Sequence, residues 1–433
     1  MTILIIVACL LAFVLLISWG KVHPFLAFLI ISIVTGLLLG LPLSSVTHAV
    51  EVGIGDTLGK LVIVITLGAM LGKLVAESGA AQKISTTLVR AFGRKNIQWA
   101  LMITGFIVGI PLFYNVGFVL LVPLIFSIVY QYKLPAVYTG LPMLAALSVT
   151  HGFLPPHPSP TALVAQFDAD MGKTLMYGII IAIPAMLIAG PLFARWLKNI
   201  KSVPLETFQP KLLPEDQLPS AFNSFLCSLL PVILLVSVIP LGWKTDESTA
   251  WLIMLISLII ATFLLGLRNG RTMKKVMDFY TEAVKDISII LLIVAGAGAL
   301  KQIFIDSGAS KEIASAFLNL HIHPLLLGWT IAAIIRVCLG SATVAGLTTG
   351  GILAPMMEEM QNNPDVHVTP ELMVLSIGAG SLMFSHVNDA GFWMFKEYFN
   401  LSIKDTIRSW SLMETIIALV GLAGVTALNL FIH

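Results

Sequence analysis

Long apolar runs separated by short polar segments dominate this chain. A helix needs about 20 apolar residues to cross ~30 Å of hydrocarbon. Such runs lie near 2–19, 24–41, 59–77, 136–168, 176–197, 222–242, 249–267, 286–305, 371–400 and 411–431. The pattern predicts an all-α polytopic membrane protein whose spans are these ten segments.

Two further apolar stretches, 98–130 and 324–358, are interrupted near their middles by small or polar residues. The first carries GIPLFYNVGF at Gly109–Phe118, and the second carries LGSATVAGLTTGG at Leu339–Gly351. A stretch of this length forms either two spans or one re-entrant hairpin whose tip stops at mid-membrane. In both cases the chain returns to the side from which it came.

A polar break interrupts the span 136–168 at Thr150–Ala162, which reads THGFLPPHPSPTA. Its prolines surround His157 and must break a helix, because proline lacks the backbone N–H and clashes with the preceding turn. Non-helical backbone at membrane depth is tolerated where it is buried in protein or lines a cavity, and transporters hold substrate at such breaks. We predict that this segment forms half of a binding site.

The second half of the site follows from an internal repeat. ESGA at Glu77–Ala80 recurs as DSGA at Asp306–Ala309, a shift of 306 − 77 = 229 residues. The same shift takes His157 to His386, which lies in FSHVNDAGFW at Phe384–Trp393. Two landmarks at one offset indicate a duplicated chain.

Each half then has five spans plus one hairpin, and an odd number of crossings inverts the second half relative to the first. We predict a first inverted repeat at 1–200, a cytoplasmic linker at 201–221 and a second inverted repeat at 222–433. The basic segments 78–97, 195–221 and 268–285 fall on one side in this arrangement, which the positive-inside rule makes cytoplasmic. Both termini are then expected outside the cytoplasm.

Composition agrees with a membrane protein and excludes several other classes. Hydrophobic residues make up 57% of the 433 residues and charged residues 11%, against about 25% charged in soluble domains. The net charge of +2 gives no support for nucleic-acid binding. The three cysteines have no metal-ligand spacing, and there is no Walker loop. We therefore expect no cofactor, no metal and no enzymatic activity.

Ionisable groups inside a membrane are costly and are functional candidates by default. Polar groups at broken helix ends, beside free backbone N–H groups, suit a small polar anion. The candidates at the hairpin tips and breaks, with Arg336 on the second hairpin, are Tyr114, Asn115, His157, Ser159, Thr161, Arg336, Ser341, Thr343, Ser385, His386, Asn388 and Asp389.

Arg336, together with two residues outside this list, His151 and Glu414, has a structural alternative. Arg336 can form an ion pair with Asp389 or meet a substrate carboxylate, and the sequence leaves both open. His151 can simply donate to a neighbouring carbonyl. Glu414 opens the predicted last span, where a carboxylate near a helix N-terminus needs no function.

HGFLPPHPSPTA, GSATVAGLTTGG, FSHVNDAGFWMFKEYF and GAMLGKLVAESGAAQKI together resemble the gluconate permease (GntP) family of bacterial proton symporters. The resemblance covers essentially the whole chain. It implies an inner-membrane, multi-pass transporter that imports gluconate or a related sugar acid with a coupling proton. It also implies the wider ion-transporter superfamily, with inverted repeats, broken helices, elevator-like motion and commonly a homodimer.

Two positions depart from the family pattern. Ser159 stands where members have Gly, and Asn115 stands where members usually carry Glu. A membrane-buried Glu is a natural proton carrier and Asn is not, so His157, His386 and Asp389 become the candidates for proton coupling. The alternatives are a transporter of another hydroxylated metabolite such as D-serine, a sodium-coupled transporter, a passive channel or facilitator, or, last, a receptor.

Overall fold

The computed structural model describes residues 2–202, 213–238, 247–309, 312, 322–357 and 368–432. These residues form helices and no strand. In the first half the helices are α1 Thr2–Ser18, α2 Pro24–Leu38, α3 Leu43–Glu77, α4 Ala80–Phe92, α5 Ile97–Gly109, α6 Tyr114–Tyr132, α7 Ala136–Phe153, α8 Pro158–Gln166 and α9 Met171–Leu187.

The second half repeats this order of long, hairpin and broken helices. Its helices are α10 Ala221–Ser237, α11 Glu247–Ala261, α12 Met273–Asp306, α13 Pro324–Leu339, α14 Ala342–Leu353, α15 Pro370–Gly380, α16 Ala390–Tyr398 and α17 Ile403–Asn429, the last containing a π turn at Ile407–Ser411. Part of the predicted linker, 203–212, lies outside the described residues.

Six helices in the described part are long and apolar enough to cross a membrane, and further apolar helices have 10–17 residues. Apolar stripes on outer helices are exposed, as on α11 and the π turn that follows it, where Leu252, Ile256, Ile259 and Phe263 recur every three or four residues. Such a stripe suits contact with lipid tails rather than water. The chain is therefore a polytopic, all-helical membrane protein.

Three predicted span boundaries were wrong because hydropathy marks only the apolar part of a helix. α3 begins at Leu43 rather than near 59, and α12 begins at Met273 rather than near 286. Both helices continue through polar residues, and in α3 two of these, Asp56 and Lys60, pair at 3.3 Å one helical turn apart. The last helix begins at Ile403 instead of 411.

Both stretches predicted as hairpins consist of two helices joined by a short turn. α5 ends at Gly109 and α6 begins at Tyr114, while α13 ends at Leu339 and α14 begins at Ala342. With 13 and 12 residues, α5 and α14 are each about 20 Å long, too short to cross the hydrocarbon alone.

The two long helices, α3 and α12, pack against each other. α3 packs against α12 so closely that a Cβ atom on Gly53 would lie 2.4 Å from the carbonyl oxygen of Gly298. α2 packs against α12, and its counterpart α11 packs against α3.

The basic segments lie together at one end. Arg271 donates to the carbonyl oxygens of Glu77 and Ser78, both at 3.2 Å. Gln82 of α4 bonds the backbone of Leu213 twice, at 2.9 and 3.0 Å. The linker therefore docks on α4 at the same end as the loop before α12.

Candidate functional site

The first predicted break is present between α7 and α8. α7 ends at Phe153, and α8 starts with Pro158 at its first position, where the missing N–H costs nothing. The buried His157 precedes it, with its Nε2 atom 2.8 Å from the carbonyl oxygen of Gly109 at the end of α5. Because a carbonyl only accepts, Nε2 carries the proton and donates it. His157 thus ties the break to the first hairpin.

The second break, between α15 and α16, makes the equivalent connection. His386 has its Nε2 atom 2.9 Å from the carbonyl oxygen of Val337, near the end of α13. Asn388 donates to the same oxygen at 2.8 Å and to that of Cys338 at 3.2 Å. Each break is therefore held to the hairpin of its own half.

Asp389 lies at the N-terminus of α16 with both carboxylate oxygens occupied. Oδ1 accepts from the backbone N–H of Gly391 at 3.0 Å, which caps the helix. Oδ2 accepts from Arg336 Nη2 and from Ser385 Oγ. Trp410 Nε1 donates to Ser385 Oγ at 2.8 Å and completes the network.

Arg336 takes part in this network with only one of its nitrogen atoms. The residue is 4% exposed, and among the described residues its Nε and Nη1 atoms have no hydrogen-bond partner. A buried guanidinium with open donors is costly unless another group accepts from them. The structural and substrate-binding alternatives for Arg336 are therefore compatible, because Nη2 holds Asp389 and two donors stay open.

A cavity of ≈ 1180 Å³ joins these elements. Both hairpins, the second break, α7 and α17 contribute to its wall. Its polar lining near Arg336 includes Tyr114, Ser148, His151, Arg336, Ser341, Thr343, Asn388, Asp389, Tyr398, Trp410 and Glu414. At the other end the wall includes Lys73, Gln82 and Leu213, so the cavity runs from the Arg336 network to the docked linker.

Six of the predicted site residues line this cavity: Tyr114, Arg336, Ser341, Thr343, Asn388 and Asp389. Five others lie outside its wall: His157, Ser159, Thr161, Ser385 and His386. Ser159 faces Gly346 of α14, since a Cβ atom added to Gly346 would lie 2.7 Å from the Oγ atom of Ser159. The backbone of Asn115 belongs to α6, but its side chain lies outside the described part of the structure, so its predicted role stays a prediction.

Sequence reasoning missed Ser148 and Glu414. Ser148 Oγ of α7 donates to Glu414 Oε1 at 2.6 Å, and Glu414 is 2% exposed. Glu414 lies in the first turn of the α-helical segment Leu412–Asn429, as predicted, but the π turn at Ile407–Ser411 continues the helix before it and its side chain lines the cavity. The available signal was the isolated carboxylate itself, in the apolar run that begins at Leu412.

Glu215 of the linker pairs with two cations of α4, Lys83 at 3.8 Å and Arg90. Arg90 donates to both carboxylate oxygens of Glu215, at 2.9 and 3.2 Å. This hydrogen bonding lowers the pKa of the Glu215 carboxyl below its usual value and raises that of the Arg90 guanidinium. Both side chains are exposed, so salt screens the pair.

Broken helices around a buried polar cavity, within an all-helical membrane chain, define a membrane transporter. The family comparison makes this specific, since residues 1–431 match the model of the GntP family permeases. The chain belongs to this family, and it is a permease rather than an enzyme.

Related sequences cover nearly the whole chain. It is 47% identical to the high-affinity gluconate transporter of Escherichia coli K12, over 95% of each chain. It is 45% identical to the Gnt-II system L-idonate transporter of the same organism, over 99% of this chain and all of that one. The gluconate permease of Bacillus subtilis 168 is 42% identical over the full length of both chains.

Two solved structures share the fold. The YdaH transporter of Alcanivorax borkumensis matches with a TM-score of 0.68 at 16% identity, over 94% of this chain and 98% of that one. MtrF of Neisseria gonorrhoeae matches with a TM-score of 0.66 at 13% identity, over 95% and 96%. At these identities the likeness concerns the fold alone.

Proposed function

We propose that this protein imports gluconate or a closely related sugar acid across the bacterial inner membrane by proton symport. The named relatives at 42–47% identity transport gluconate or L-idonate, which supports a hydroxylated carboxylate as substrate. The mechanism proposed is alternating access with elevator-like motion. A homodimer, which the family resemblance implies, stays a prediction.

The observation that carries this proposal is the pair of open donors on Arg336. Nε and Nη1 lack partners in a buried wall, while Nη2 is held by Asp389 and fixes the guanidinium plane. The Nε–H and Nη1–H groups point to different sides of the guanidinium, so a substrate carboxylate would accept from one of them and a substrate hydroxyl from the other. A sugar acid would place its carboxylate here and offer its hydroxyls to polar groups of the wall.

Those groups come from both hairpins and the second break. Tyr114 and Thr343 line the cavity with hydroxyls, and Asn388 adds a side-chain amide. The Tyr114 hydroxyl has no partner among the described residues, so a substrate hydroxyl would satisfy it. Groups that both donate and accept suit a polyhydroxylated chain.

The proposed moving unit consists of the hairpins and broken helices. The His157–Gly109 and His386–Val337 bonds join each break to its hairpin, so the parts around the substrate would move together. α3 and α12 would form part of the stationary frame. Because the cavity reaches the linker, which we propose to be cytoplasmic, the structure corresponds to an inward-facing state.

We also propose two inverted repeats, 1–200 and 222–433, joined by the linker 201–221. α3 and α12 have 35 and 34 residues and are followed by a hairpin and a broken helix in both halves. The reciprocal packing of α2 on α12 and of α11 on α3 is the pattern that a pseudo-twofold axis produces.

The test is uptake of labelled gluconate into proteoliposomes with an imposed pH gradient, a sodium gradient or neither. Symport predicts accumulation above equilibrium with the pH gradient alone. Accumulation only with the sodium gradient would identify sodium rather than the proton as the coupling ion. Equilibration without accumulation would indicate a facilitator. Absence of gluconate uptake, with uptake of D-serine instead, would overturn the substrate assignment.

A further inference from the structure

The cavity wall of the described residues carries four carboxylates: Glu77, Asp286, Asp389 and Glu414. Three of them face a cation. Lys73 lies 4.0 Å from Glu77 and 3.6 Å from Asp286, and Arg336 pairs with Asp389. Glu414 alone forms no ion pair within the described part of the chain.

The surroundings of Glu414 suit a carboxyl group more than a permanent carboxylate. One oxygen accepts from Ser148 Oγ at 2.6 Å, and Oε2 has no partner among the described residues. An ionised carboxylate buried without a cation is costly, whereas a protonated one leaves a single O–H to satisfy. Glu414 contributes to the cavity wall, so its carboxyl group lies beside the space in which a substrate would bind.

The charged and titratable neighbours of Glu414 come from several packed elements. Tyr114 of α6, His151 of α7, Arg336 of α13 and Asp389 line the same cavity. α9 and α15 also pack against α17, but their described titratable side chains lie outside the cavity wall. These side chains are Lys173, Tyr177 and Glu371.

We propose that Glu414 carries the coupling proton. The inference rests on the proposed symport of a sugar acid. Arg336 and Asp389 already balance each other, so a bound anion adds one negative charge to the cavity and an ionised Glu414 would add a second. Like charges in a low-dielectric site repel strongly. The anion therefore binds well only when Glu414 is protonated, and the proton and the substrate travel together.

The three earlier candidates for the proton are less available in this geometry. His157 and His386 donate Nε2–H to backbone carbonyls. Asp389 accepts from Arg336, Ser385 and Gly391. The roles of His157, His386 and Asp389 in proton coupling stay predictions.

The experiment uses the full-length protein in proteoliposomes, with wild type, Glu414→Gln and Glu371→Gln. Glu371 is a buried carboxylate that accepts from the backbone N–H of Asp170 at 3.1 Å, away from the cavity wall, and Gln can still accept there. Two quantities are measured: gluconate exchange across the membrane without a gradient, and accumulation driven by a pH gradient. Size-exclusion chromatography checks that each variant is folded.

We expect Glu414→Gln to exchange gluconate while its pH-driven accumulation falls to simple equilibration. Glu371→Gln should behave as wild type. Undiminished accumulation by Glu414→Gln overturns the proposal, and so does a folded variant that has lost exchange as well, because that loss indicates a role in binding. If wild type itself does not transport gluconate, the proposed function fails rather than the assignment of Glu414.

A second measurement on the wild-type protein needs no variant. Dicyclohexylcarbodiimide reacts with protonated carboxyl groups, and mass spectrometry identifies the modified residue. At the pH at which transport is measured, Glu414 should be modified, and modification should abolish pH-driven accumulation. An unmodified Glu414, or full accumulation after its modification, would overturn the proposal.

Discussion

His157 and His386, which are 386 − 157 = 229 residues apart, make the same bond in the two halves of the chain. Each Nε2–H donates to a backbone carbonyl near the end of the first hairpin helix of its half, at 2.8 and 2.9 Å. The same connection between break and hairpin is therefore present in both halves of the chain.

Replacing His157 tests that connection. His157→Ala leaves the buried carbonyl of Gly109 without its donor, which should cost about 1–3 kcal/mol of stability. His157→Gln retains an N–H donor and should lose less. Thermal unfolding of the purified protein measures both, and equal losses would contradict the role of the hydrogen bond. His157→Gln should also retain pH-driven accumulation.

Arg336→Gln should weaken gluconate binding. Losing one hydrogen bond between a charged donor and the substrate costs about 1.5–3 kcal/mol, which corresponds to roughly ten- to hundredfold in affinity. Binding to the detergent-solubilised protein is the readout. Arg408→Gln is the matched control, since Arg408 is exposed and outside the cavity wall. An unchanged affinity in Arg336→Gln would remove this residue from the carboxylate site.

Gly340→Ala should disturb the second hairpin more than its backbone conformation alone requires. Gly340 has φ +75°, and a Cβ there would lie 2.2 Å from the carbonyl oxygen of Asn388. Gly40 has φ +89° with no atom within 4 Å, so Gly40→Ala carries only the conformational cost of about 1–2 kcal/mol. Unfolding temperatures should therefore fall further for Gly340→Ala. Equal shifts would show that the contact with Asn388 relaxes freely.

Docking of the linker on α4 should weaken in acid. The pKa of Glu215 is lowered by Arg90, so the ion pair contributes above the ordinary carboxyl pKa and is lost as pH falls through the lowered value. Hydrogen exchange in Ala80–Phe92 should accelerate over that range. Glu215→Gln should remove the pH dependence, and an unaltered profile in this variant would assign it to another group.

Elevator motion predicts that joining the proposed frame to the moving unit stops transport. Lys301 of α12 donates to the carbonyl oxygen of Gln166 of α8 at 2.9 Å, so the two positions are neighbours. Cysteines at 166 and 301, bridged by a bifunctional thiol reagent in a background without the native cysteines, should abolish exchange. Full turnover of the bridged protein would argue against the block motion, and each single cysteine variant serves as control.

The sequence predicted the fold well where local chemistry decides it. The prolines around His157 predicted the first helix break. The 229-residue offset from His157 then predicted a second break at His386. Helix ends were harder, because α3 and α12 continue through polar residues that hydropathy treats as loop.

The site was predicted only in part because the residues that face a cavity depend on helix register. Ser148 and Glu414 are 266 residues apart, and nothing local indicates that they meet. The π turn at Ile407–Ser411 shifts the register of α17 just before Glu414. Similarly, the sequence offered an ion pair between Arg336 and Asp389 as one alternative. It could not predict that Nε and Nη1 of Arg336 lack partners, because this depends on how the helices pack.

The contact between Gly53 and Gly298 has a consequence for how the two halves can vary. The carbonyl oxygen of each residue occupies the space where a methyl group on the other would stand, 2.4 Å away in both directions. Neither half can therefore gain a side chain at this crossing without displacing the backbone of the other. Where α3 and α12 cross, each half of the chain therefore requires glycine in the other half.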